Sequence, residues 1–123
     1  MLAARIELVL LLTGLATAGA LALFLSPVTM MRLLFGQAPS DVLGILIVRH
    51  WGLLVGLVGA LLVYAAYHAE IRVPTLIVAV AEKAAFALGV FLSPFRRRPT
   101  AFIMALADAG MAAVYAVYLI SGR

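Results

Sequence analysis

Arg49-His50-Trp51-Gly52-Leu53-Leu54-Val55-Gly56-Leu57-Val58-Gly59 is the stretch on which the reading of this chain turns. It sets a guanidinium, an imidazole and an indole inside an apolar run, then follows them with three glycines at helix-packing spacing. The run extends from about 42 to 67, long enough as a helix to cross a hydrocarbon core of roughly 30 Å. A charge inside such a helix is costly and needs a partner. Gly52 and Gly56 form a GxxxG pair with Gly59 one turn further, so another backbone can approach closely beside the polar residues.

Composition agrees with that reading over the whole length. The chain is 67% hydrophobic and 11% charged, with mean hydropathy +1.21, too few polar residues to cover a water-soluble globule of this size. An integral membrane protein follows, with a bacterial inner membrane as the expected location. Apolar runs of about 20 residues account for nearly all of the sequence, so 1–123 reads as a single transmembrane domain. Without cysteine there is no disulfide, thiolate metal site or redox pair. Much of the net charge of +4 is the run Arg96-Arg97-Arg98, which reads as a contact for lipid headgroups and not for nucleic acid.

The expected fold is all-α: a four-helix transmembrane bundle with helices over about 3–25, 42–67, 73–92 and 100–120, and a short interfacial helix over about 27–35. The first helix has the charged start of a secretory signal but is too long and carries Glu7. Its Gly14, Ala18, Thr13 and Thr17 are read as a flat packing face. Ser26-Pro27 opens and Gly36 closes the short helix, which buries Met30, Leu33 and Leu34 and turns Arg32 toward headgroups; a re-entrant segment or lid is its sharper alternative. Ser40 or Asp41 caps the second helix. In the fourth helix, Ala101, Ala105, Ala109 and Ala113 recur as a packing stripe with Asp108 beside it. Tyr64, Tyr67, Tyr115 and Tyr118 are expected at one interface.

Glu82 and Lys83 sit near the middle of the third helix. Adjacent helical residues diverge by about 100°, so at least one of them must look into the bundle. Counting helical rise from the arginine-rich side places Arg49 about 12 Å deep, Asp108 about 14 Å, Lys83 about 17 Å and Glu82 about 18 Å. The four charges sum to zero, and His50 and Trp51 complete a candidate ligand-binding slab of Arg49, His50, Trp51, Glu82, Lys83 and Asp108. Such a cluster either fixes helix register or holds a polar headgroup, a quinone or a proton. The number of charges exceeds what register requires and favours binding.

Specific reactions find no support. His50 lacks a second haem ligand, since His68 is about 27 Å away on the same helix. His50, Glu82 and Asp108 have metal-binding atom types without local ligand spacing, so no metal site is assigned. Serine is missing from the helix centres and no nucleophile has a base nearby, so no catalytic residue is named and no cofactor can be specified. Small multidrug transporters share the length and helix count, but depend on a glutamate inside the first helix, where Glu7 lies too near the end. Basic residues divide almost evenly between the two sides, which leaves orientation open and keeps an antiparallel dimer in play.

The first helix ending in a proline-containing short segment (Ser26-Pro27 to Phe35-Gly36), Arg49 followed by Gly52, Gly56 and Gly59, and two plainer helices together resemble the small four-helix bacterial membrane proteins of the DoxX-like group. Some members of that group are associated with quinone-linked oxidoreductase complexes, so the resemblance implies a quinone-related role and carries no catalytic residue. The expectation is a midplane site with Arg49 as anchor, Glu82 and Asp108 as its counter-charges, Lys83 as second cation and His50 exchanging protons. Its ligand is a lipophilic molecule with a polar head, quinone or isoprenoid. The rivals are an accessory subunit of a larger membrane complex and an oligomeric proton-coupled carrier.

Overall fold

The computed structural model describes residues 2–122, and among them all regular structure is helical. Six α-helices follow in order: α1 (Leu2–Ala18), α2 (Leu21–Leu25), α3 (Pro27–Phe35), α4 (Val42–Tyr67), α5 (Arg72–Phe91) and α6 (Pro99–Val117). Short 3-10 turns at Ala69–Ile71 and Pro94–Arg97 make two of the corners, and a π-turn at Tyr118–Gly122 follows α6. Four segments are long and apolar enough to cross a membrane: Arg5–Leu25, Val42–Tyr67, Ala69–Phe91 and Pro99–Ser121.

The turn chemistry sets the corners. Pro27 stands in the first turn of α3, and Gly36 ends it in the left-handed region at φ 75°, its N–H donating to the Arg32 carbonyl at 2.9 Å. The Asp41 carboxylate accepts from Gly44 N–H at 3.0 Å and caps α4. The expected first helix over 3–25, by contrast, is two helices. Thr13 and Thr17 turn their hydroxyls back onto the Val9 and Thr13 carbonyls, each at 2.7 Å. Past them, Gly19, Ala20 and Ala22 donate to carbonyls three residues back, at 3.0–3.1 Å. Threonine back-bonding bends a helix, and the tighter turn at Gly19 completes the break.

α4 lies along α1 and α2, and α5 along α6. The glycine seam faces inward: Gly52, Gly56 and Gly59 are buried. A Cβ at Gly52 would stand 2.5 Å from Leu23 Cβ, one at Gly56 2.5 Å from Leu21 Cδ2, and one at Gly59 would collide with the Ala18 backbone. Side chains are excluded there so that two backbones can touch. The alanine stripe on α6 is buried over part of its length: Ala101 and Ala105 are fully buried and Ala109 packs beside them, while Ala113 is exposed.

At the opposite end, Ile6, Leu10, Leu62, Leu76, Tyr115 and Tyr118 belong to one apolar cluster. Tyr115 is 0% exposed and donates from its hydroxyl to Thr13 Oγ1 at 2.5 Å, while Tyr118 is buried too. The expectation that both mark a surface belt therefore fails. Tyr115 faces α1 from α6 and Tyr118 packs in the same cluster from the π-turn that follows, and the Tyr115 phenol finds a polar partner inside. Tyr64 and Tyr67 are exposed.

Candidate functional site

Because α1 pairs with α4 and α6 with α5, α1 and α6 face each other across a cleft with little direct contact. The Tyr115–Thr13 hydrogen bond closes one end of it. α3 closes the other, contributing Met30 and Leu34. Between them is a cavity of about 370 Å³, within the range of small-molecule sites. Exposed Ala16 and Gly19 on one side and exposed Ala107 on the other form its lateral mouth. The break after α1 thus lies at the rim of the opening.

The polar end of the cavity is built from three helices. Lys83, 1% exposed, donates from Nζ to Thr17 Oγ1 at 2.7 Å and lies 3.4 Å from Asp108 Oδ1. Glu82 Oε1 is 3.9 Å from the same ammonium, an ion pair beyond hydrogen-bond reach, and this oxygen is buried without a hydrogen bond. All four residues line the cavity. A buried ammonium is tolerable only with such compensation. The walls above are apolar: Leu23, Val55, Met104 and Met111, with Trp51 stacked on Phe86 at 5.8 Å between ring centroids.

Trp51 and Phe86 belong to a ring cluster that positions α3. Phe35 lies 6.4 Å from Trp51, 6.3 Å from Phe86 and 5.2 Å from Phe95, and so ties the end of α3 to α4, α5 and the following turn. The Thr100 hydroxyl meets the Leu33 and Leu34 carbonyls at 3.0 and 2.6 Å, which anchors the same end to α6. A second cavity, also about 370 Å³, lies beyond Trp51 beneath Gln37, Ala38 and Pro39.

Of the six residues expected to share one site, the structure brings four to the cavity: Trp51, Glu82, Lys83 and Asp108. Arg49 and His50 are exposed on α4 and do not line it. Arg49 donates to the Phe24 carbonyl at 2.8 Å and so caps the end of α2. Asp41 does not start level with the end of the first span: α4 has 26 residues and the first span-length segment 21. The start of α4 therefore overhangs its neighbour. Arg49 is level with Phe24, about 10 Å along the helix from Thr17. The carboxylates gather around Lys83 in its place.

Thr17 lines the candidate site and accepts from Lys83, although its place in an apolar helix reads as a packing position in the sequence. Its signal was the threonine pair at i, i+4 in an otherwise apolar helix. Among the described residues no cluster of three or more His, Asp or Glu side chains could hold a metal. The arginine run is exposed at its corner, where Arg96 donates to the Ser93 carbonyl at 2.8 Å and Arg98 to the Arg32 carbonyl at 3.4 Å. Compared with protein-family models, curated proteins and solved structures, the chain matches none.

Proposed function

We propose that this chain is an integral protein of the bacterial inner membrane, its four long segments crossing the bilayer, and that the cleft between α1 and α6 binds a lipophilic molecule with a polar head. The molecule enters sideways from the lipid between Ala16 and Ala107, and its head meets Lys83, Glu82, Asp108 and Thr17. The observation that carries this reading is the position of Lys83, a buried charge that lines a cavity of about 370 Å³ in place of a dry, sealed network. The three methionines, Met30, Met104 and Met111, give the walls an adaptable apolar surface suited to a chain or ring. Isoprenoid lipids and quinones, the classes expected from the DoxX-like resemblance, have tails of that shape, while the charges at the polar end of the cavity set the chemistry of the head.

Mass spectrometry of small molecules carried through purification tests the proposal, with wild type set beside Ala107→Phe. Ala107 is exposed at the cleft mouth, so the phenyl group obstructs entry without entering a packed core. Wild type should retain a specific lipophilic molecule that the equally stable variant lacks. Equal recovery from both, or none from either, would sink the idea. The second reading, an accessory subunit, draws support from Arg49 and His50, which stand exposed on an apolar outer face of α4. The inward orientation of Gly52 and Gly56 removes the other surface that a partner helix could have used.

A further inference from the structure

We infer that the head group taken by this cleft is a protonated amine. This rests on the proposed binding of a lipophilic molecule there. In their ordinary ionised forms Lys83, Glu82 and Asp108 sum to −1, because the positive charge of Arg49 is spent on the Phe24 carbonyl outside the cavity. Among the described residues, none that α1, α2, α3 or α4 contributes to the lining is titratable, so none of them supplies the missing charge.

Hydrogen bonding leads to the same head group by an independent route. Glu82 Oε1 is buried and receives no hydrogen bond, and Lys83 Nζ at 3.9 Å is too far to donate one. The Thr17 hydroxyl cannot serve either, since it donates to the Thr13 carbonyl. The cavity therefore lacks a donor. It has no comparable need of an acceptor, because Lys83 already reaches Thr17 at 2.7 Å and Asp108 at 3.4 Å. A carbonyl or carboxylate head would compete for Lys83 and leave Glu82 Oε1 bare. An ammonium supplies the charge and the donor together. The stacked faces of Trp51 and Phe86 in the same wall add a surface that attracts cations.

Trp51 is the only tryptophan, so its fluorescence reads the cavity directly. The protein in a neutral detergent is titrated with dodecylamine, dodecanol and dodecanoate, which share one tail, and the titrations are repeated on Glu82→Gln and Asp108→Asn. Comparing variant with wild type for each probe cancels partitioning into the micelle. Dodecylamine should saturate a Trp51 response in wild type. It should weaken by about tenfold or more in each variant, while dodecanol changes by less than about threefold. Circular dichroism and a thermal melt restrict the comparison to variants that stay folded, and either one alone suffices. If all three probes saturate and none is affected by the substitutions, the cleft binds lipophilic molecules and the amine assignment is wrong. Tighter binding of dodecanoate overturns it as well. If no probe saturates, the binding cleft itself is refuted along with the head group.

Discussion

Lys83 holds the centre of the site by three different contacts: a short hydrogen bond to a threonine, a longer one to an aspartate and an ion pair to its own neighbour Glu82. Removing the ammonium leaves two half-buried carboxylates without their shared partner. Lys83→Ala should lower unfolding stability by about 3 kcal/mol, and adding Asp108→Asn should recover part of that loss. Denaturant titration of the three proteins in one detergent checks both the loss and its partial recovery; unchanged stability of the single variant would mean the ions are not coupled to folding. Glu82, Lys83 and Asp108 were legible in sequence because charge in an apolar helix is conspicuous whatever the helix rotation. Thr17 was not, since a threonine in such a helix can satisfy its own hydroxyl and shows no need of company. Arg49 was the most conspicuous residue and still stands apart, because depth counted along one helix carries over to another only when both begin at the same level.

The helices themselves were well marked. Pro27, Gly36, Asp41 and Pro99 punctuate the chain, and α3 and α4 begin and end where the expected segments do, 27–35 and 42–67. The break at Gly19 had no such mark, because back-bonding threonines leave hydropathy unchanged and no proline is involved. Arginines recur at the ends of elements. Arg49 reaches the Phe24 carbonyl at the end of α2, and Arg98 the Arg32 carbonyl in α3. Arg72 donates to the Ala65 and Ala66 carbonyls of α4 at 2.7 and 2.9 Å, with Glu7 3.8 Å away. Carbonyls at a helix C-terminus carry partial negative charge, which a guanidinium complements, by a forked pair at Arg72 and by a single bond at Arg49 and at Arg98, whose acceptor also takes the Gly36 N–H. The contact between α1 and α4 depends instead on the absence of side chains. Gly59→Val should separate the pair and cost about 2 kcal/mol or more, whereas Gly89→Ala, with open space around its Cβ position, should change little. Thermal melts of the two variants side by side distinguish a packing seam from a general intolerance of larger residues.

Seen whole, the molecule turns large apolar side chains outward along every long segment, among them Leu12, Leu46, Leu57, Ile77 and Ile103. Surfaces of that extent mark a face that meets membrane or another protein, and insertion in the bilayer is what the proposed function requires. In vesicles, Trp51 emission should be quenched by brominated acyl chains and protected from aqueous acrylamide; free quenching by acrylamide would exclude insertion in this arrangement. The chain also has a single lysine, and that lysine is buried in the cleft. Every other basic side chain that carries a fixed formal charge here is an arginine. Within these residues, then, neither face of the protein presents a side-chain amine to the enzymes that attach acetyl groups or ubiquitin-like tags in water. Covalent marking of that kind has one address, and an occupied cleft covers it.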